Sequence, residues 1–287
     1  MSNRLLFFHS DSSRLLGIQE ITTQVGNIHK GGLVLSGGGA HYVYIGSDFP
    51  FNNIYFRIEV PNTANVSVEV STWDGEEFVS VTNLLDYTAA GYVGLANSGH
   101  IEWTPDKDKG WVKEPDSADI PEFTIGDHDP LHILDKFWAK IGLPSQFITT
   151  TKIHWIGHVF SEDADLEIEH PDLMATNVFR RYSSTKTDWF EQHVRAGAMV
   201  VKDLKKENIL DAAEQILSLD DMRDMCVART AQLIYSGMGD DFKDNAMNAE
   251  NDYQSRRISA SVTVDKDNDG VIDYNEAYGI KSTRLIR

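Results

Sequence analysis

The chain has 287 residues, 41% of them hydrophobic and 10% aromatic, enough to fill a packed core in one large or two ordinary domains. Its 44 acidic residues stand against 26 basic ones, a formal net charge of −18. That balance argues against a nucleic-acid or anionic-membrane partner, since both reward clustered Lys and Arg.

The N-terminus, MSNRLLFFHSDSSRLLG, holds one short apolar run broken by His9 and Asp11, so neither a signal peptide nor an anchor is expected. No window approaches the roughly 20 apolar residues that span a bilayer, and a soluble chain made in a cytoplasm is expected. As far as about Pro171 the pattern is that of strands. HYVYIGS, NIYFRIEV and NVSVEVSTW alternate and are rich in Val, Ile, Tyr and Phe. Turn signals separate them: GGG at Gly37 to Gly39, PNTAN from Pro61, and Asp74-Gly75. GHIEW, LDKFWAKIGL and TTKIHWIGHVF continue the series. Short strands with no helices between them predict an antiparallel β-sandwich or jelly-roll over residues 1–178.

From about Thr185 the period becomes helical. Trp189, His193, Ala196, Val200 and Leu204 share one face, with Thr185 or Thr187 as the expected cap. A second helix is predicted from Ser218, with Asp221 in the capping-box position and Leu219, Met222, Cys226 and Leu233 down one face to Gly237. A third carries Phe242, Ala246, Ala249 and Tyr253. An alternating ISASVTV strand, an Asp-rich loop and a KSTRLIR tail follow. The expected layout is α+β and multidomain, with a small helical domain over 179–287 that ends in a strand and an EF-hand-like loop.

That loop, within VTVDKDNDGVIDYNEA, is the most specific short motif. Asp265, Asp267 and Asp269 fall at loop positions 1, 3 and 5, and Gly270 at the tight turn. Val271 falls at the position that offers a backbone carbonyl, with Asp273 and Glu276 at 9 and 12. A hard cation takes roughly six to eight oxygen ligands, and this spacing gathers several on one point, so structural Ca²⁺ is the expected cofactor. A sensor role is not expected, because sensing needs paired helices that reorient, and here a strand leads into a single loop.

Other motifs point to no chemistry. SGGGAHY lacks the Lys-Ser/Thr of a phosphate loop and reads as a turn. HDPLH and HWIGH invite metal readings. On a regular strand His154, Ile156 and His158 would share a face, yet no third ligand can be assigned. The single cysteine, Cys226, excludes an intramolecular disulfide and sits at helical core spacing. No Gly-x-Ser-x-Gly elbow occurs, so a non-enzymatic protein is expected.

Two stretches resemble virion proteins of tailed phages. STWDGEEFVSVTNLLDYTAAGYVGLANSGHIEWTPDKDKGW resembles a β-sandwich module recurrent in phage structural proteins, through Trp73, Gly75, Asp86, Thr88, Leu95, Ser98, Gly99, Ile101, Trp103, Pro105 and Trp111. FWAKIGL and FSEDADLEIEHPDL fit that module's later strands. The region from DWFEQHV through DLKKENIL and ARTAQLIY to NDYQ is similar to the helical head–tail adaptors of long-tailed phages. The resemblance implies a homo-oligomeric ring, a dodecamer, in the neck of the virion. Its neighbours there would be the portal protein and the next neck or tail-terminator protein. DNA would pass through without specific binding, and assembly would take place in the host cytoplasm, with no membrane involved. Basic on an acidic chain, Lys281, Arg284 and Arg287 would form a docking tail for a partner ring, with a solvated frayed end as the alternative. A tail, baseplate or fibre-attachment protein is the alternative within the virion class. A carbohydrate-binding module is the alternative outside it, and it requires Trp73, Trp103 and Trp111 on one exposed face, where core filling is the simpler reading.

Overall fold

The alternating runs form eleven strands among the residues that the computed structural model describes, which are 5–11, 18–36, 39–106, 111–113, 136–144, 150–272 and 276. They are Leu6–Asp11 (β1), Ile18–Glu20 (β2), Leu33–Leu35 (β3), His41–Ser47 (β4), Asn53–Val60 (β5), Glu69–Trp73 (β6), Phe78–Ser80 (β7), Thr82–Asp86 (β8), Gly99–Thr104 (β9), Phe137–Leu143 (β10) and Thr151–Gly157 (β11). A single helical turn, Thr22–Val25 (α1), lies between β2 and β3. All the pairings are antiparallel, in a six-stranded sheet ordered β2-β1-β4-β10-β6-β7 and a five-stranded sheet ordered β3-β11-β5-β9-β8.

The two sheets bury a shared core. Val43, Ile45, Ala139 and Ile141 come from one sheet, and Ile54, Phe56, Ile101 and Ile153 from the other. Each such Val, Ile or Phe side chain contributes about 1.5–3 kcal/mol by leaving water, so the alternation read from the sequence is the packing order of a β-sandwich. On the other face of the six-stranded sheet Phe8, Tyr44, Trp73 and Trp138 form a second cluster. The Lys140 ammonium stands 4.5 Å from the Tyr42 ring centre beside them, within cation–π range. At the edge of the five-stranded sheet β8 is bulged. Its register to β9 shifts between Thr82 and Leu85, and Asn83 takes a left-handed φ of 47°.

The second half is helical: Asp163–Glu169 (α2), Thr176–Tyr182 (α3), Phe190–Lys206 (α4), Asp220–Gly237 (α5) and Lys243–Ser259 (α6). Helix α5 packs against both α4 and α6. Val200, Leu204, Met222, Cys226 and Tyr253 share one core, and Leu166, Phe179, Trp189, Val227 and Ile234 another. Burial pushes the Cys226 thiol well above its usual range, which keeps it an inert core residue. No helix among the described residues is long and apolar enough to cross a membrane.

The structure corrects several expectations. The stretch expected to supply late strands, FSEDADLEIEHPDL, instead forms α2 and a 3₁₀ turn, Pro171–Met174. Asp165 accepts a hydrogen bond from the Glu162 backbone N–H at 2.8 Å, and Asp163 and Asp165 place negative charge in the first helical turn. Leu166 is fully buried while Ile168 is 83% exposed, so the apparent alternation does not describe one buried strand face. With these helices in the second core, the compact units are Met1–Gly157 with Asp267–Val271 and His158–Lys266 with Ile272–Arg287. The boundary expected after residue 178 falls inside α3.

Helix starts also differ. The N-cap of α4 is Trp189; the Phe190 N–H donates to Asp188 Oδ1 at 3.1 Å and the Trp189 N–H to Asp163, so neither Thr185 nor Thr187 caps α4. Asp221 reaches Thr263 instead of Ser218, accepting from its backbone N–H at 2.8 Å and its hydroxyl at 2.7 Å. The expected ISASVTV strand is reduced to one bridge, Ile216 to Val264. Asp265 N–H to Gln215 carbonyl (2.8 Å) and Leu217 N–H to Thr263 carbonyl (3.2 Å) are its two bonds, because the opposing segment is a short connector.

Candidate metal centre

The bridge delivers the chain directly into the acidic loop. Asp265 is fully buried, with its backbone held on both sides by Gln215, whose side-chain amide also donates to the Asp265 carbonyl at 3.3 Å. Asn268 and Gly270 then turn through left-handed conformations, with φ of 61° and 74°. At Gly270 a Cβ would stand 3.1 Å from Pro50 and 3.2 Å from Pro105, so both backbone shape and space call for glycine there. Asp269 Oδ1 accepts from the Val271 N–H at 2.7 Å, closing the turn.

This geometry brings one carboxylate oxygen from each of Asp265, Asp267 and Asp269 within 4.8 Å of the others, the last two residues being solvent-exposed. Among the described residues it is the single His/Cys/Asp/Glu group of this kind. Three like charges this close repel, and an all-oxygen donor set suits a hard divalent cation, not zinc or copper. Glu276, expected at the last ligand position, is buried, and its Oε1 accepts from the Lys266 N–H at 2.6 Å. Val271 is buried next to the turn. Asp273 and the tail residues Lys281, Arg284 and Arg287 lie outside the described residues, as do the His128 and His132 of HDPLH and two glycines of the SGGGAHY turn.

The histidine pair on β11 does not form. A bulge between Ile153 and Trp155 resets the alternation, so Ile153 and Ile156 both enter the core. His154 bonds the Ile28 carbonyl through Nε2 at 2.9 Å, while His158 lies beyond the strand, stacked near Phe160. The tryptophans of the sugar-binding alternative, Trp73, Trp103 and Trp111, are at most 5% exposed, and Trp111 Nε1 donates to the Trp138 carbonyl at 3.1 Å. They fill the interior and offer no exposed aromatic face.

One catalytic-looking constellation carried no sequence signal. Ser161 Oγ lies 2.8 Å from His193 Nδ1, Thr230 Oγ1 is 3.3 Å from the same nitrogen, and His193 Nε2 is 3.2 Å from Asp163 Oδ1. An ionised carboxylate only accepts, so Nε2 donates to Asp163, and Nδ1 faces the two hydroxyls. Ser161 is 2% exposed and His193 1%, which leaves no approach for a substrate. The group is a polar crosslink joining the α2 start, α4 and α5. Its members come from three separate segments, so no spacing rule could have found it.

No protein family matches the chain, and no curated protein matches it in sequence.

Proposed function

We propose that this chain is a structural virion protein, a neck adaptor that joins portal to tail in a long-tailed phage. The observation supporting the reading is the order of helices in the adaptor-like stretch. Helix α4 ends on Asp203-Leu204-Lys205-Lys206, α5 carries ARTAQLIY, and α6 carries a fully buried aromatic, Tyr253. In this reading copies of the helical unit complete one another's packing in a ring, as small helical domains with exposed apolar residues require. The acidic loop takes Ca²⁺ as a structural staple through Asp265, Asp267 and Asp269, with the Val271 carbonyl, Asp273 and Glu276 completing the oxygen set.

Purified full-length chain should form closed rings by negative-stain microscopy, alone or on adding portal protein, with a matching mass by light scattering. A chain that stays monomeric in both conditions rejects the adaptor reading.

A further inference from the structure

On a chain of net charge −18, helix α4 turns a basic stripe outward, headed by an exposed Glu191 that is itself paired with Lys186 at 3.4 Å. Its inner side buries Ala196, Val200 and Leu204. Arg195, Lys202 and Lys205 are exposed along the outer side, with the small Ala198 exposed between them. At about 100° per residue these positions fall on one side of the helix. Among the described residues none of the three cations has an acidic partner, whereas neighbouring Lys206 is paired with Asp203 at 2.8 Å.

The start of α6 carries the opposite pattern. Asp240, Asp241 and Asp244 are all exposed, and Met247 is 57% exposed one turn further on. Asp241 is held by Arg181 at 2.6 Å, while Asp240 and Asp244 have no basic partner among the described residues; Lys243 is the one cation within this run. Helix α6 buries Ala249 and Tyr253, so Met247 looks away from the core. The basic stripe lies on α4 and the acidic run at the start of α6, two separate elements that each pack on α5.

We propose that these two unlike surfaces dock on one another between copies of the chain. The α4 stripe of one copy sits on Asp240, Asp244 and Met247 of the next. A contact between unlike surfaces is heterologous, and repeated around a closing rotation it makes a ring instead of a two-fold dimer. Elsewhere like-charged acidic surfaces repel, so the sign-inverted stripe also sets the register of the contact. The inference rests on the ring reading of the preceding section and adds which surfaces meet.

Charge reversal tests it on the full chain. Arg195→Glu with Lys202→Glu should weaken self-assembly at least about tenfold by light scattering, and Asp240→Lys with Asp244→Lys should do the same. All four substitutions on one chain should restore assembly, since reversed surfaces again meet with opposite signs. Unchanged circular-dichroism melting in each variant separates loss of contact from loss of fold. If the wild type forms rings and both double variants assemble equally well, this interface is overturned while the ring reading stands. A wild type that never assembles overturns both. Loss of duplex-DNA retention with assembly unaltered assigns the stripe to a nucleic acid and overturns the contact between copies.

Discussion

Asp86 carries the turn between β8 and β9. Its Oδ1 accepts from the Thr88 N–H at 2.9 Å and from the Thr88 hydroxyl, and that hydroxyl accepts from the Leu95 N–H at 2.9 Å. Leu95 itself is held at a φ of 55°. Ser98, from the same motif, accepts at 2.9 Å from the Ile58 N–H. Burial raises the Asp86 pKa against the lowering effect of the Thr88 bonds. The folded state therefore holds the proton more tightly than the unfolded chain, and this group's contribution to stability grows as pH falls through its raised folded pKa. Asp86→Asn keeps the acceptor and removes the buried charge, so at pH 7 it should equal or exceed the wild type in urea denaturation and show less of that acid-side gain. Asp86→Ala removes the acceptor and should cost about 1–3 kcal/mol. An Asn variant as unstable as the Ala variant would contradict this account. Asp86, Thr88 and Ser98 were legible in the sequence because turns are written in adjacent residues; that Asp86 is partly withdrawn from solvent was not.

Elements show where local pattern stops being enough. Strands β4 and β5 begin and end where the sequence places them. Two short stretches misled for opposite reasons. In 163–169 capping carboxylates outweigh an apparent strand period, and in β11 a bulge breaks a real one. His193 illustrates the third limit, because its partners Ser161, Asp163 and Thr230 lie 32, 30 and 37 residues away. That hub ties α2, α4 and α5 together. Replacing His193 with Leu strands buried hydroxyls and should destabilise the helical unit by roughly 3 kcal/mol, whereas Ser161→Ala should cost only about 1. Thermal melts that rank the two variants the other way would show that His193 is not the centre of the network.

For the molecule as a whole, the two-part layout and the acidic loop were the most legible features. The loop motif is contiguous, so its spacing survives into three dimensions, and three of its carboxylates do converge. The position of the division was not legible, since it depends on which core claims α2 and α3. If the loop holds Ca²⁺, saturating the protein at about a hundred times the dissociation constant adds about 2.7 kcal/mol of stability. Removing Ca²⁺ with EDTA should lower the melting temperature, and Asp267→Ala with Glu276→Ala should abolish that shift. An EDTA-insensitive wild type rules the cation out. An open β-sandwich faces one further hazard, the margins of its sheets, where another strand can add. At one margin, β8, the register slips by a bulge and Asn83 turns left-handed, even though Leu85 beside it is half exposed. An incoming strand would find donors and acceptors out of step. The slipped register and left-handed residue at β8 thus work against the addition of a further strand at that margin, by denying it a regular ladder to extend.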